Sequence, residues 1–197
     1  MSKMIFASLA IAAFIGGSFA QTQPAKEFGF SDDEYNFISE TRCSTDSSSI
    51  EVFEATTFPM TISLKAPQEI IDKIHAYYAN SKVADVTDDL IKDFDDKNDK
   101  SYSLEKKFPR CNFVLITEAE ISEIFKAGGG WKEFKTRYPK SSSIQRFSRI
   151  GFSPDKHQAF LYYQYNCGWL CASGDYYFFV KKNTDWIEKA RYNLMVS

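Results

Sequence analysis

The hydrophobic pattern changes period along the chain. In the first third, SSIEVFEATTF is rich in β-branched and aromatic residues, and in MTISL the residues Met60, Ile62 and Leu64 alternate at the spacing of a half-buried strand. Two adjacent strands are predicted there. Pro67 then opens APQEIIDKIHAYYAN, where Ile70, Ile74, Tyr77 and Tyr78 recur at helical spacing and the proline sits where a first turn tolerates it. A second helix is predicted in VADVTDDLIKDFDDKNDK: Thr87 caps it, Leu90, Ile91 and Phe94 form its buried stripe, and its other face is acidic and lysine-rich. CNFVLI reads as a buried strand. In TEAE directly after it, Thr117 and Glu120 form a capping box for a helix through Ile121, Ile124 and Phe125. Gly128, Gly129 and Gly130 stop that helix, and Trp131, Phe134 and Tyr138 mark a further short one that Pro139 ends.

From Ser141 the period shortens to that of strands. SIQRFSRIGF, HQAFLYYQY, YYFFVKK and WIEKARYNLMV are separated by the turn SPDK, a cysteine-bearing loop and the turn KNTD. In the last of them Trp186, Ala190, Tyr192, Leu194 and Val196 share one predicted face, with Glu188 as the exception. Four strands joined by short connections imply an antiparallel meander. The expected fold is therefore α+β, with helices packed on one face of a curved antiparallel sheet and a C-terminal four-strand meander. There is no internal repeat or long linker, so 21–197 reads as a single domain in which 21–31 is a polar leader.

The first twenty residues change the picture from fold to compartment. Lys3, an apolar run from Met4 to Ile15 and the small residues Gly16 to Ala20 have the organisation of a signal peptide, with cleavage expected before Gln21. The apolar run is too short for a membrane span. A periplasmic or secreted protein is the expectation, with no membrane span. Aromatic content is high, with 18 Phe, 11 Tyr and 3 Trp, so large rings are expected to fill the core. A formal charge of −2 offers no electrostatic reason for a nucleic-acid partner. Four cysteines, Cys43, Cys111, Cys167 and Cys171, suit an oxidising compartment and allow three pairings. The favoured pairing is Cys43 with Cys111 and Cys167 with Cys171.

The stretch from Trp131 to the C-terminus resembles the C-terminal half of an uncharacterised family of exported bacterial proteins. The residues that carry the likeness are Trp131, Phe134, Tyr138 and Pro139; Ser148, Arg149, Gly151 and Phe152; Cys167, Gly168, Leu170 and Cys171; and Tyr176, Tyr177, Trp186 and Ser197. Ala172 and the NTD turn depart from it where that pattern has glycine. The resemblance implies an exported, bacterial, single-domain protein and no assigned activity.

Candidate chemistry is sparse. Cys167 and Cys171 are spaced C-x-x-x-C between two strands, unlike the C-x-x-C at a helix N-terminus that tunes a redox thiol, so a structural disulfide is expected rather than redox chemistry or a metal site. His75 flanks a helix stripe and His157 follows a turn; neither reads as a general base, and no catalytic set, metal site or cofactor motif is selected. The aspartates between Asp85 and Asp99 lack the glycine and glutamate of a calcium loop and read as a solvated helix face. Arg149, beside Ser148 between apolar residues, needs a partner if buried. Glu188 or the terminal carboxylate of Ser197 is expected to supply it, with an anionic ligand as the alternative.

Two functions follow from these residues. One is a non-enzymatic binding or interaction module that presents Trp169, Tyr176 and Tyr177 to a protein or envelope component. The other is a small-molecule or enzymatic site in a concavity between helices and sheet, as in cystatin-like or nuclear-transport-factor-like cones. An exposed Trp169 favours the first. A pocket of converging polar groups, Arg149 among them, favours the second.

Overall fold

The computed structural model describes residues 29–44, 46, 48–57, 72, 76, 86–105, 107–126 and 128–196. The segment expected to be a signal peptide, MTISL, His75 and most of APQEIIDKIHAYYAN lie outside these described residues. The described elements are α1 (Asp32–Thr41), β1 (Glu51–Glu54), α2 (Asp88–Lys97), β2 (Phe113–Ile116), α3 (Glu118–Lys126), α4 (Gly130–Arg137), β3 (Ile144–Phe147), β4 (Gly151–Phe152), β5 (Gln158–Gly168), β6 (Cys171–Lys182) and β7 (Asp185–Val196).

The helix boundaries follow local chemistry. Leu90 N donates to the Thr87 hydroxyl at 3.3 Å to start α2, and Thr117 and Glu120 exchange backbone-to-side-chain bonds of 3.0 and 3.2 Å to start α3. Gly128 and Gly130 take φ values of +74° and +50°, a region that L side chains rarely occupy, and the chain breaks between α3 and α4 there. The helix α1 is absent from the sequence expectations. It opens with its own capping box, Ser31 with Glu34, reinforced by Phe30 packing edge-on against Tyr35 at 4.7 Å.

The class is α+β. The strands form one mixed sheet in the order β2-β1-β3-β5-β6-β7, with β4 also paired to β5. The antiparallel C-terminal meander is present: β5 pairs with β3 and β6, and β6 with β7. β1 runs parallel to both β2 and β3, so the sheet is antiparallel on the meander side only. β2 lies at an edge, and of its residues only Ile116 is fully buried.

The core divides between the two faces of the sheet. Leu90, Ile91 and Phe94 of α2 pack on Phe160, Tyr162, Tyr176 and Phe178. Ile124 of α3 and Phe134 of α4 join Val52, Ile116 and Ile144 on that same face. Phe37 and Ile38 of α1 cover the opposite face with Leu161, Tyr177 and Phe179. The described helices thus lie on both faces, three on one and α1 on the other. A Cβ at Gly151 would stand 2.6 Å from the Phe94 Cβ, so glycine there lets α2 lie directly on the sheet.

Interruptions of the strands redirect side chains. SIQRFSRIGF is broken between Phe147, opposite Tyr163, and Gly151, opposite Phe160: three residues on this strand face two on β5. This is a bulge at Ser148 to Ile150. In β7, Ala190 is opposite Phe178 while Glu188 is opposite Phe179, so Lys189 is an extra residue. Trp186 therefore packs with the α1 cluster, and Ala190 and Tyr192 with the α2 cluster, rather than sharing one face.

Candidate functional site

The Cys167–Cys171 disulfide closes the tip of the β5–β6 hairpin, with the two Cα atoms 5.2 Å apart. Gly168 pairs with Cys171, and Trp169 and Leu170 form the turn between them. Both side chains stand in solvent, Trp169 80% and Leu170 89% exposed. The indole edge nevertheless rests on the start of α4: a Cβ at Gly130 would lie 3.2 Å from Trp169 Cζ2, an approach that glycine allows. A covalent clamp and this one-sided packing hold two large apolar groups outward. Leu170 was not among the residues expected to bind, although an apolar residue in a two-residue turn between cysteines is a visible signal.

Tyr176 and Tyr177 do not belong to this surface. They are 0% and 5% exposed, on opposite faces of β6. Successive residues of a strand point to opposite sides, and helices cover both sides here. Burial also raises the pKa of both phenols.

Arg149 is buried in the bulge, 3% exposed, and its partner is Glu34, 0% exposed. Arg149 Nε donates to Glu34 Oε1 at 3.1 Å and Nη2 to Oε2 at 2.7 Å. The same carboxylate accepts from Ile150 N at 3.0 Å and from Ser31 N at 2.8 Å. Arg149 N, turned away from the ladder, donates to Asn98 Oδ1 at 2.7 Å, and the guanidinium lies 4.7 Å from the Tyr102 ring. Burial works against the charged guanidinium, but the Glu34 bonds outweigh it and raise the Arg149 pKa. Of the expected partners, Glu188 is on β7 opposite Phe179, and Ser197 lies outside the described residues. The carboxylate sits in α1, the one described helix that the sequence expectations lacked.

The remaining candidates are at the surface. His157 is exposed in the turn, with Nδ1 2.9 Å from the Asp155 carbonyl oxygen. On α2, Lys92 pairs with Asp96 and Lys97 with Asp93, while Asp93 also accepts from Phe152 N at 2.8 Å. Among the described residues no group of three or more His, Cys, Asp or Glu side chains could hold a metal ion.

Between the described helices and the sheet the space is filled by rings. Phe94 lies 5.0 Å from Phe160 on one face, and Phe37 lies 5.2 Å from Phe179 and 5.1 Å from Trp186 on the other. Depressions among the described residues are superficial, such as those lined by Glu118, Ser122 and Lys126 or by Glu40, Arg110 and Trp186. A second bridge, Cys43–Cys111, joins the segment after α1 to the one before β2, across a sequence separation of 68. Among the described residues no helix is long and apolar enough to cross a membrane. Comparison with protein-family models, curated proteins and solved structures finds no match to this chain.

Proposed function

We propose that this chain is an exported, non-enzymatic binding module that contacts a protein or envelope component through the hairpin tip at Trp169 and Leu170. The observation that carries this reading is the exposure of these two apolar side chains on a turn clamped by Cys167–Cys171. A rigid tip loses little conformational entropy on binding, and tryptophan supplies a large contact area. The two disulfides suit an oxidising compartment. Export follows from the leader that ends at Ala20, in keeping with the exported bacterial proteins that the C-terminal stretch resembles. N-terminal sequencing of the secreted chain should begin at Gln21.

The test is recovery of partners from the native envelope by the mature protein and by its Trp169→Ala variant. Removal of a central anchor costs about 2 kcal/mol, roughly a thirtyfold loss of affinity. The specific partner should therefore disappear from the variant's eluate. Equal recovery of every partner by both proteins would overturn the reading.

A further inference from the structure

Arg42, the C-cap of α1, also turns its guanidinium into the molecule. Its guanidinium lies 3.8 Å from the centroid of the Tyr177 ring, 4.9 Å from Tyr163 and 5.2 Å from Phe179. Its Nε and Nη2 are buried, and no acceptor reaches either. Those two atoms form the side-on edge of a guanidinium, whose parallel N–H bonds match the two oxygens of a carboxylate. In Arg149 the same pair of atoms holds Glu34 at 3.1 and 2.7 Å. Two nearby acceptors are committed elsewhere, and Glu188 of β7 acts on Arg42 without a bond to either atom. Asp175 is held by Arg191 at 2.8 Å and Asn193 at 2.6 Å, and Gln145 Oε1 accepts from the Tyr163 hydroxyl at 2.6 Å. Burial lowers the Arg42 pKa, as expected of a desolvated cation that lacks a counter-charge in contact.

We propose that Arg42 anchors a binding site for a ligand that bears a carboxylate, taken bidentately on Nε and Nη2, with Tyr163, Tyr177 and Phe179 as its aromatic walls. The charge around the site sets the class of anion. Arg191 approaches the same Tyr177 ring at 5.4 Å but is paired with Asp175, and the exposed Glu188 acts on Arg42 from β7. One negative charge balances Arg42 in this setting; a phosphate dianion would face Asp175 and Glu188 with no second unpaired cation placed there among the described residues. The β7 side chains that act on Arg42, Glu188 and Arg191, are exposed and border the way to this edge. This site is separate from the hairpin tip and does not depend on the tip's function.

The test is a titration of the ¹⁵N-labelled mature protein, followed through its arginine Nε–Hε resonances, with sodium acetate and with inorganic phosphate at constant ionic strength. The Arg42 resonance should shift saturably with acetate while that of Arg149 stays in place. Phosphate should bind more weakly, and Arg42→Lys, which keeps the charge and loses the fork, should weaken acetate at least about tenfold. The Trp169→Ala variant should titrate as the wild type does, so the two readings fail separately. The proposal is overturned by the absence of a saturable shift, by an equal shift with chloride, or by tighter binding of phosphate than of acetate. It is also overturned if Glu188→Gln alone removes a downfield position of the Arg42 resonance, because Glu188 would then fill the fork in solution. The wild-type titration decides even where a variant does not fold.

Discussion

The two ends of α1 are fastened by different means. At the N-terminal end, Glu34 closes the capping box on Ser31 and takes both donors of the Arg149 fork. At the C-terminal end, the bridge from Cys43 to Cys111 ties the chain to the strand region, while Arg42 rests on Tyr177 with two donors that no acceptor reaches. Both charges suit the helix dipole, an anion at the start and a cation at the finish. A buried ion pair with its hydrogen bonds made is a structural joint, and removing one partner leaves the other charged and alone. A covalent joint leaves the neighbouring arginine free for a ligand.

This contrast can be broken in several places. Among these places the largest effect is expected at the covalent joint, comparable to the loss of the Arg149–Glu34 pair itself. Replacing Cys43 and Cys111 together by Ser should cost about 4 kcal/mol in chemical denaturation, from the entropy of the long loop that the bridge closes. A loss under 1 kcal/mol would mean that the C-terminal end is held by packing alone. Next is Asn98, whose side chain accepts from Arg149 N and donates to the Phe94 and Arg149 carbonyls. Asn98→Ala leaves buried groups of the bulge unpaired and should cost about 2 kcal/mol. An unchanged midpoint would detach the bulge from the ion-pair joint.

The Arg42 end also has a signature in alkali. Burial holds the Tyr163 phenol, and the Tyr176 phenol on the other face, well above the ordinary value of 10.0. The unfolded chain releases these protons first, so it binds fewer than the folded protein, and stability falls as pH rises above 10. The slope should be about 1.4 kcal/mol per pH unit for each such tyrosine. Tyr163→Phe should make the fall shallower; an unchanged slope would place the loss elsewhere. The smallest effect is at the hairpin tip, where Trp169→Ala should change stability by less than about 0.5 kcal/mol because the side chain is already in solvent. A larger loss would make the tryptophan a structural cover rather than a contact residue.

Legibility in the sequence followed the locality of the signal. The caps at Thr87 and Thr117, the glycine break after α3 and the C-terminal meander each depend on a few neighbouring residues, and each is visible as a short motif. The pairing of Cys43 with Cys111 was one of three possibilities until the fold brought the two Cα atoms within 5.3 Å. The bulges were not legible, because one extra residue leaves the apolar pattern intact and only the pairing partner reveals it. Trp186 was consequently assigned to the face of Ala190, and Arg149 was given Glu188 as one of its expected partners. The joint with Glu34 spans 115 positions and arises from a helix whose S-D-D-E capping box was present but unread. Tyr176 and Tyr177 were misplaced because α1 covers the second face of the sheet. Exposure of Trp169 was legible only as an open alternative: a tryptophan between cysteines reads the same whether it points in or out.

The buried Arg149 holds the fold together, while Arg42, with only the donor edge of its guanidinium buried, is available to a ligand. Urea unfolding of Arg149→Met beside Arg42→Met, at neutral pH and without added carboxylate, tests this most directly. Arg149→Met should lose about 3–5 kcal/mol, since Glu34 is left buried without its counter-charge. Arg42→Met, which removes two unpaired donors and keeps an apolar stem over Tyr177, should stay within about 1 kcal/mol of the wild type. Equal losses in the two variants would contradict the account.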